Sequence, residues 1–444
     1  MSDESLGFTG AAAIGLGGMI GGGVFAVLGV VASIAGAAAW LAFLVASLVS
    51  MCAAYSYLKV NSINDRKGGS VTHLESYLDD AEYAGMVGWT LLLGYIGSIA
   101  MYAYAFGGFG VKLLPQLGLS EGVVHPLLSV LAVAFFVGLN VLGARATGSS
   151  EKLLVTLKVV ILLGISIWGL YYGAGKNALQ FGFSQVATTG FVTAVAVSFV
   201  SFQGWQLLMY DQESIENVET NLPRAVYVSI VGAIVVDCLV AILVTSLVKT
   251  DVIKAHPEIA VARAVEPFLG QLGFTFVAVA ALFSTGSAIN GTLFSAAHFA
   301  KGMLDDGLAP DSLGDSDAEG APSRTVLVLG AIAAAFAAYG SLNAITSFGS
   351  LAFVVVFGTM CALALKERDH DEINPLPPAT GLLGCVAAFP LILYHLWSAQ
   401  RGTFYTVVAL AVAVVAVEVL YFKREALAEE VEEVEESVES AIDG

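Results

Sequence analysis

The sequence predicts an all-α polytopic membrane protein with about twelve transmembrane helices. Hydrophobic residues make up 57% of the 444-residue chain and charged residues only 13%, whereas about 25% of a typical soluble domain is charged. The mean hydropathy is +0.81. Apolar runs of around 20 residues, long enough for a helix to cross a bilayer, recur along the whole length.

The apolar runs predict twelve spans with mostly short connections between them. They lie at roughly 8–33, 36–58, 84–111, 125–143, 152–173, 188–211, 222–248, 270–299, 325–341, 344–365, 380–399 and 402–422. With the N-terminus inside, the inner loops hold twelve Lys and Arg residues and the outer loops hold six. Because cytoplasmic loops are enriched in these residues, we expect both termini to be cytoplasmic.

The charge of the chain restricts its partners. The net charge is −18, with the acids in loops and at the C-terminus, which argues against nucleic acid as a partner. So acidic a surface resembles that of haloarchaeal proteins. The four cysteines lie in apolar segments without metal-site spacing, so we interpret them as small buried hydrophobes. No P-loop or nucleophile–base pair stands out, and we expect no enzyme activity, no metal and no cofactor.

The first span contains the stretch GLGGMIGGGVF at 15–25, with six glycines in nine residues. Each glycine costs about 1 kcal/mol in a helix interior relative to alanine, and in lipid every loosened backbone group needs a partner. We therefore expect the helix to be interrupted there. The alternative is a stripe of small residues at which two helices pack closely.

The sixth span carries a matching interruption, SFVSFQGW, in which Gly204 is flanked by Ser201, Gln203 and Gln206. Breaks at corresponding positions of two halves indicate an inverted-repeat transporter with its site near the bilayer midplane. Exposed N–H groups at the end of a half-helix favour a carboxylate, and freed carbonyls can accept from an ammonium group. A substrate with both groups is an α-amino acid.

These segments resemble a known family. GGMIGGGVF resembles the first-helix signature of the amino acid–polyamine–organocation (APC) permeases, and SFQGWQ followed by ESIENVETNLPRA resembles their helix 6–7 segment. GGSVTHL at 68–74 and ALFSTGSAINGTLFSAAHFAKGMLDDGLAP resemble two further motifs. The resemblance covers spans 1–10. It implies the LeuT-type fold, a 5+5 inverted repeat with broken helices 1 and 6 plus two C-terminal helices.

The resemblance also implies a domain division and a substrate site. The membrane transport domain covers 1–423, with repeats at about 8–173 and 188–365 and extra helices at about 380–422, and an acidic cytoplasmic tail covers 424–444. The N–H groups of Gly21, Gly22 and Gly23 are implied to meet the substrate carboxylate. The carbonyls of Met19, Val200 and Gln203 are implied to meet its amino group. The same site includes Gly18, Ser201, Phe202 and Gly204.

Two ionisable residues lie deep in predicted spans, and such residues are costly and default to functional hypotheses. The amine of Lys158 in span 5 can release its proton near neutral pH if it is desolvated. By resemblance to proton-coupled APC members, its partners are the carbonyls of Gly17 and Ile20 and the side chains of Ser284 and Thr285. The alternative is a lysine that snorkels to the cytoplasmic face.

Asp237 in span 7 has three possible roles. It is a hydrogen-bonded, protonated core residue, a partner of a polar neighbour, or a group that serves a cationic substrate. Few other acids lie near the expected pocket, which favours small or neutral substrates.

The leading interpretation is a secondary amino acid transporter of the cell membrane, a proton symporter that works by alternating access. An exchanger of cationic amino acids or polyamines is the alternative within the class. A non-transporting amino acid sensor and an ion channel are alternatives from other classes. The acidic tail alone favours the sensor, and the lack of a repeated filter sequence argues against the channel.

Overall fold

The structure is a computed structural model that describes residues 6–64, 69–78, 81–114, 120–142, 148–210, 212–310, 314 and 322–422. Within these residues the chain forms sixteen α-helices and no sheet. In chain order they are α1 Phe8–Gly22, α2 Leu28–Ala35, α3 Ala39–Ile63, α4 Ser70–Leu78, α5 Ala81–Leu113, α6 Glu121–Val141, α7 Gly148–Gly175, α8 Thr189–Val197, α9 Leu207–Tyr210, α10 Val218–Leu247, α11 Thr250–Ala255, α12 Ala260–Asp305, α13 Ser323–Tyr339, α14 Leu342–Lys366, α15 Leu376–Ala399 and α16 Arg401–Phe422.

The predicted spans fall on these helices. Nine helical segments of the described chain are long and apolar enough to cross a membrane. The first, Phe8–Ile63, holds two predicted spans, and the chain turns between them at Gly36, whose φ is +57°. The ninth and twelfth predicted spans are shorter apolar helices, Ser323–Tyr339 and Arg401–Ala413.

Several helix boundaries have local causes. The Thr188 side chain accepts from the Phe191 N–H at 3.2 Å and caps the start of α8. Ser341 caps α14 in the same way, accepting from the Ala344 N–H at 3.3 Å. A hydroxyl at this position satisfies one of the N–H groups that a helix start leaves without a partner. Span 8 differs from its prediction, because α12 begins ten residues earlier and continues through a kink at Gly270, where φ is +63°.

The first and sixth spans each pack against helices of both halves. The first span, α1, packs against α7 and α10, which are spans 5 and 7. The sixth span breaks at a 3₁₀ segment, Ser198–Phe202, which packs against α3 and α14, which are spans 2 and 10. Each interrupted span thus contacts the second span of the opposite half and the fifth span of its own half. This arrangement is consistent with the five-plus-five repeat.

The first span differs from its expected form. It is not unwound at the glycines. Instead α1 continues to Gly22, a π-helical segment runs through Gly23–Val27, and α2 follows directly. A π-helical segment widens the helix and shifts its hydrogen-bond ladder without releasing the backbone, and such segments are frequent at functional sites. The expected interruption of the first span is present, but it has the form of a π-helical segment and not of an unwound break.

The sixth span is broken as predicted. After the 3₁₀ segment Ser198–Phe202 the backbone of Gln203 is extended. Gly204 follows with φ +134°, a conformation that residues with a side chain rarely adopt. The helical path resumes only in the short α9. The break therefore occupies the part of span 6 that contains the polar residues of SFVSFQGW.

Candidate functional site

The two interrupted spans meet through their backbones. A Cβ atom at Gly204 would lie 2.9 Å from the Met19 nitrogen and 3.0 Å from the Gly18 carbonyl carbon. A Cβ at Gly18 would lie 3.0 Å from the Gly204 α-carbon. Gly204 therefore requires glycine, and a side chain at Gly18 would fit only if the Gly204 backbone shifted. The structure thereby brings together two parts of the chain that the sequence predicted to form one site.

The residues of the break are buried, with Val200, Ser201 and Gln203 each 1% exposed and Phe202 fully buried. Gln203 donates through Nε2 to the Tyr102 hydroxyl of α5. The Gln206 side chain accepts from the Gly204 N–H at 2.7 Å. Tyr102 was not predicted from the sequence, because an aromatic residue within an apolar helix carries no distinguishing signal.

The break is anchored from two neighbouring helices. Ser350 of α14 accepts from the Val200 N–H at 3.1 Å and donates to the Val197 carbonyl. The indole N–H of Trp205 donates to Ser50 of α3 at 3.2 Å, and its ring stacks on Phe357 with centroids 5.4 Å apart. The two Ser350 bonds satisfy backbone groups at the break, as the membrane interior requires.

The three glycines at 21–23 face different neighbours. A Cβ at Gly21 would lie 2.8 Å from the Ala288 Cβ, and one at Gly22 would lie 2.0 Å from the Tyr102 ring. A Cβ at Gly23 would lie 3.2 Å from the Ser201 Cβ and 3.5 Å from both carboxylate oxygens of Asp237. Gly23 therefore faces Ser201 and the carboxylate of Asp237, whereas Gly22 faces the ring and hydroxyl of Tyr102.

The backbone groups assigned to the substrate are partly engaged within the protein. The Gly23 N–H donates to the Met19 carbonyl, so these two groups hydrogen-bond to each other. The Val200 carbonyl accepts from the Gln203 N–H at 3.5 Å. In this conformation the Gly23 N–H and the Met19 and Val200 carbonyls each make a hydrogen bond within the protein, and their contact with a substrate stays a prediction.

Lys158 lies inside the bundle. Its side chain is 7% exposed, and its amine donates to the Gly17 carbonyl at 3.1 Å. This bond joins span 5 to span 1 one residue before the Gly18–Gly204 contact. The burial contradicts the snorkelling alternative.

The other residues predicted around Lys158 are buried on the first and eighth spans. Ile20 and Thr285 are fully buried and Ser284 is 2% exposed. Thr285 donates to the Ala281 carbonyl of its own helix at 2.8 Å. The Ser284 hydroxyl has no hydrogen-bond partner among the described residues. Its carbonyl oxygen lies 3.3 Å from a Cβ placed at Gly21, so α12 packs directly on α1 here.

The two ends of the bundle differ. At the end that holds the N-terminus, Leu6 donates to the Ser214 carbonyl at 2.7 Å and accepts from the Glu216 N–H at 3.0 Å. Asn61 donates to Gln212 beside them at 2.9 Å. These bonds hold the first span, the second span and the segment after the break together.

The opposite end contains a cavity of about 540 Å³ between spans 1, 3 and 4 and the loops after spans 7 and 9. Charged groups of both signs line it, including the ion pair Lys112–Glu121 at 2.6 Å and the pair His256–Glu258 at 3.4 Å. The interrupted spans therefore lie between a tightly bonded end and an end with room for solvent or a small molecule.

A family model described as amino acid permease matches residues 6–419 of the chain. The chain belongs to the amino acid permease family. This permease is 27% identical over 398 residues to the inner membrane transport protein YbaT of Escherichia coli, which covers 89% of this chain and 91% of the relative. It is 24% identical over 417 residues to the branched-chain amino acid permease BcaP of Lactococcus lactis, which covers 85% and 87%.

A solved structure of similar fold supports the architecture of this permease. A mutant of the manganese transporter of Eremococcus coleocola aligns with a TM-score of 0.61 and 11% identity over 93% of this chain and 92% of that one. At this identity the likeness is evidence for the fold alone, and it is consistent with the LeuT-type arrangement. With the family match, the findings establish an amino acid transporter of the membrane and not an enzyme.

Proposed function

We propose that this permease is a proton-coupled amino acid symporter of the cell membrane that works by alternating access, with both termini cytoplasmic. The observation that carries the proposal is the bond from the Lys158 amine to the Gly17 carbonyl at 3.1 Å inside the bundle. A buried amine in contact with a moving helix is a group through which a proton can change the conformation.

The coupling follows from the charge of the amine. When protonated, Lys158 makes a charge-assisted hydrogen bond, which is stronger than one from a neutral donor. Loss of the proton weakens this bond and frees the first span from span 5. Because Gly18 lies against Gly204, movement of the first span reaches the break in span 6 directly.

The proposed substrate site comprises the interrupted segments themselves. They are Gly18, Met19 and Gly21–Gly23 of the first span and Val200, Ser201, Phe202, Gln203 and Gly204 of the sixth, with Gly17, Ile20, Ser284 and Thr285 around the proposed proton carrier. Their burial and the backbone contact between the two spans support this assignment. The twelve-to-six distribution of Lys and Arg supports an orientation in which the cavity opens to the outer side.

The test is uptake of radiolabelled amino acids by proteoliposomes in sodium-free medium, with and without an acid-outside pH gradient. Concentrated KCl suits the acidic composition, which resembles that of proteins from high salt. Three variants are compared with the wild type: Lys158→Gln, Lys158→Arg and the control Lys152→Gln. Lys152 is an exposed lysine on the same helix, and it donates to Thr9 at 2.9 Å.

Gradient-driven accumulation by the wild type and Lys152→Gln, lost in Lys158→Gln, supports proton symport. Uptake that ignores the gradient but requires amino acid inside the vesicles identifies an exchanger of cationic amino acids or polyamines and contradicts the role of Lys158. Binding without any flux contradicts proton symport and favours either sodium coupling or a sensor. The acidic tail at 424–444, which favours the sensor, lies outside the described residues.

A further inference from the structure

Asp237 of α10 is a buried carboxylate without a partner. It is 1% exposed, and neither of its oxygens has a hydrogen-bond partner in the part of the chain that the structure describes. Ser201, also 1% exposed, has a hydroxyl in the same situation. Because burial of a lone charge or polar group is costly, two such residues side by side indicate a site that a ligand completes.

The two side chains face one point on the first span. A Cβ at Gly23 would lie 3.2 Å from the Ser201 Cβ and 3.5 Å from each Asp237 oxygen. Since glycine has no Cβ, no side chain of the first span stands between the Gly23 backbone and these two polar side chains. Gly21 and Gly22 lie against Ala288 and Tyr102 instead.

The polar groups of Asp237 and Ser201 are suited to an ammonium group. An ammonium nitrogen has three N–H donors, and the two carboxylate oxygens of Asp237 and the hydroxyl of Ser201 have no hydrogen-bond partner among the described residues. A bond to a carboxylate is charge-assisted and stronger than a neutral one. A substrate carboxylate is disfavoured next to Asp237, since like charges repel.

We propose that Asp237 and Ser201 hold an ammonium group of the transported amino acid beside Gly23. The family resemblance assigned this group to backbone carbonyls, but the Met19 and Val200 carbonyls accept hydrogen bonds from the protein itself. The inference rests on the proposed function in one respect, namely that the substrate is an amino acid. It does not rest on proton coupling or on Lys158.

Equilibrium binding to the purified full chain in detergent tests this without transport. A panel of the twenty tritiated L-amino acids identifies the tightest binder, and L-leucine and L-lysine serve as neutral and cationic references. Asp237→Asn removes the charge, and Gly23→Ala places a methyl group against the Ser201 and Asp237 side chains. Glu266→Gln is the control, because that carboxylate has its own partner in Arg263 at 2.7 Å. Size-exclusion elution verifies that each variant is folded.

We expect Asp237→Asn and Gly23→Ala each to weaken the tightest binder by about tenfold or more, as loss of a hydrogen bond to a charged group does. Glu266→Gln should bind like the wild type. An equal loss for leucine and lysine assigns the α-ammonium group, and a loss for lysine alone assigns the side-chain ammonium.

The proposal is overturned if both site variants bind with wild-type affinity. It is also overturned if Asp237→Asn changes the effect of Na⁺ or K⁺ on binding but leaves the affinity for the amine unchanged. If the wild type binds none of the twenty, the proposed function fails as well. If binding follows the proposal while the pH gradient drives no uptake, only the coupling fails.

Discussion

Gly18 and Gly204 lie in direct backbone contact, so the break in the sixth span packs against the first span with no side chain between them. A Cβ on either residue would approach the backbone of the other to 3.0 Å. Gly204 also adopts φ +134°, a conformation reserved for glycine. The two interrupted spans are therefore in direct backbone contact at this point.

Replacement of Gly204 by alanine is therefore expected to abolish uptake and to lower stability. The methyl group meets the Met19 nitrogen at 2.9 Å, and the strained backbone alone costs roughly 1–3 kcal/mol. Melting temperature and uptake are measured together. Gly164→Ala is the control, because a Cβ there has nothing within 4 Å. If Gly204→Ala transports like Gly164→Ala, the close contact does not matter for function.

Ser350→Ala tests the anchoring of the break from span 10. The change removes the acceptor of the buried Val200 N–H, which costs about 1–3 kcal/mol. We expect a lower melting temperature and weaker substrate binding. Ser347→Ala is matched to it, since Ser347 is equally buried on the same helix but bonds only to the Asn343 carbonyl one turn away. Equal effects of the two substitutions would show that the break is not held from α14.

Leu6→Pro tests whether the N-terminal backbone closes its end of the bundle. Proline has no N–H, so the 2.7 Å bond to the Ser214 carbonyl is lost. A backbone bond contributes about 1 kcal/mol, enough to raise the open population several-fold. Leu6→Ala keeps the N–H and is the control. A single cysteine at Leu208, in a background without the four native cysteines, should react faster with a hydrophilic maleimide only in Leu6→Pro. Unchanged labelling would assign the closure to other contacts.

The spans were predictable because the bilayer demands about 20 apolar residues per helix and leaves few alternatives. The break at Gly204 was predictable because polar residues surround a glycine inside an apolar run. The form of the first span was not. A run of glycines is compatible with an unwound segment, a π-helix or a regular helix. The π-helical form that is present lies against Ala288, Tyr102 and Ser201 from three other segments, and these neighbours are not visible in the sequence.

The candidate site was predictable in part. Lys158 and Asp237 stand out in the sequence because charges inside apolar spans are rare. Their neighbours do not stand out: the proximity of Asp237 to Gly23 joins residues more than two hundred positions apart. Tyr102 and Ser350 carry no signal at all, since an aromatic or a serine is ordinary in a membrane helix until its hydrogen-bond partner is known.

The measurement that tests proton coupling most directly is simultaneous recording of amino acid uptake and internal pH in the same sodium-free vesicles. We predict that uptake by the wild type acidifies the interior, whereas Lys158→Gln exchanges amino acid across the membrane without moving protons. Wild-type uptake at constant internal pH, or acidification by Lys158→Gln equal to that of the wild type, would contradict the role of Lys158 as the proton carrier.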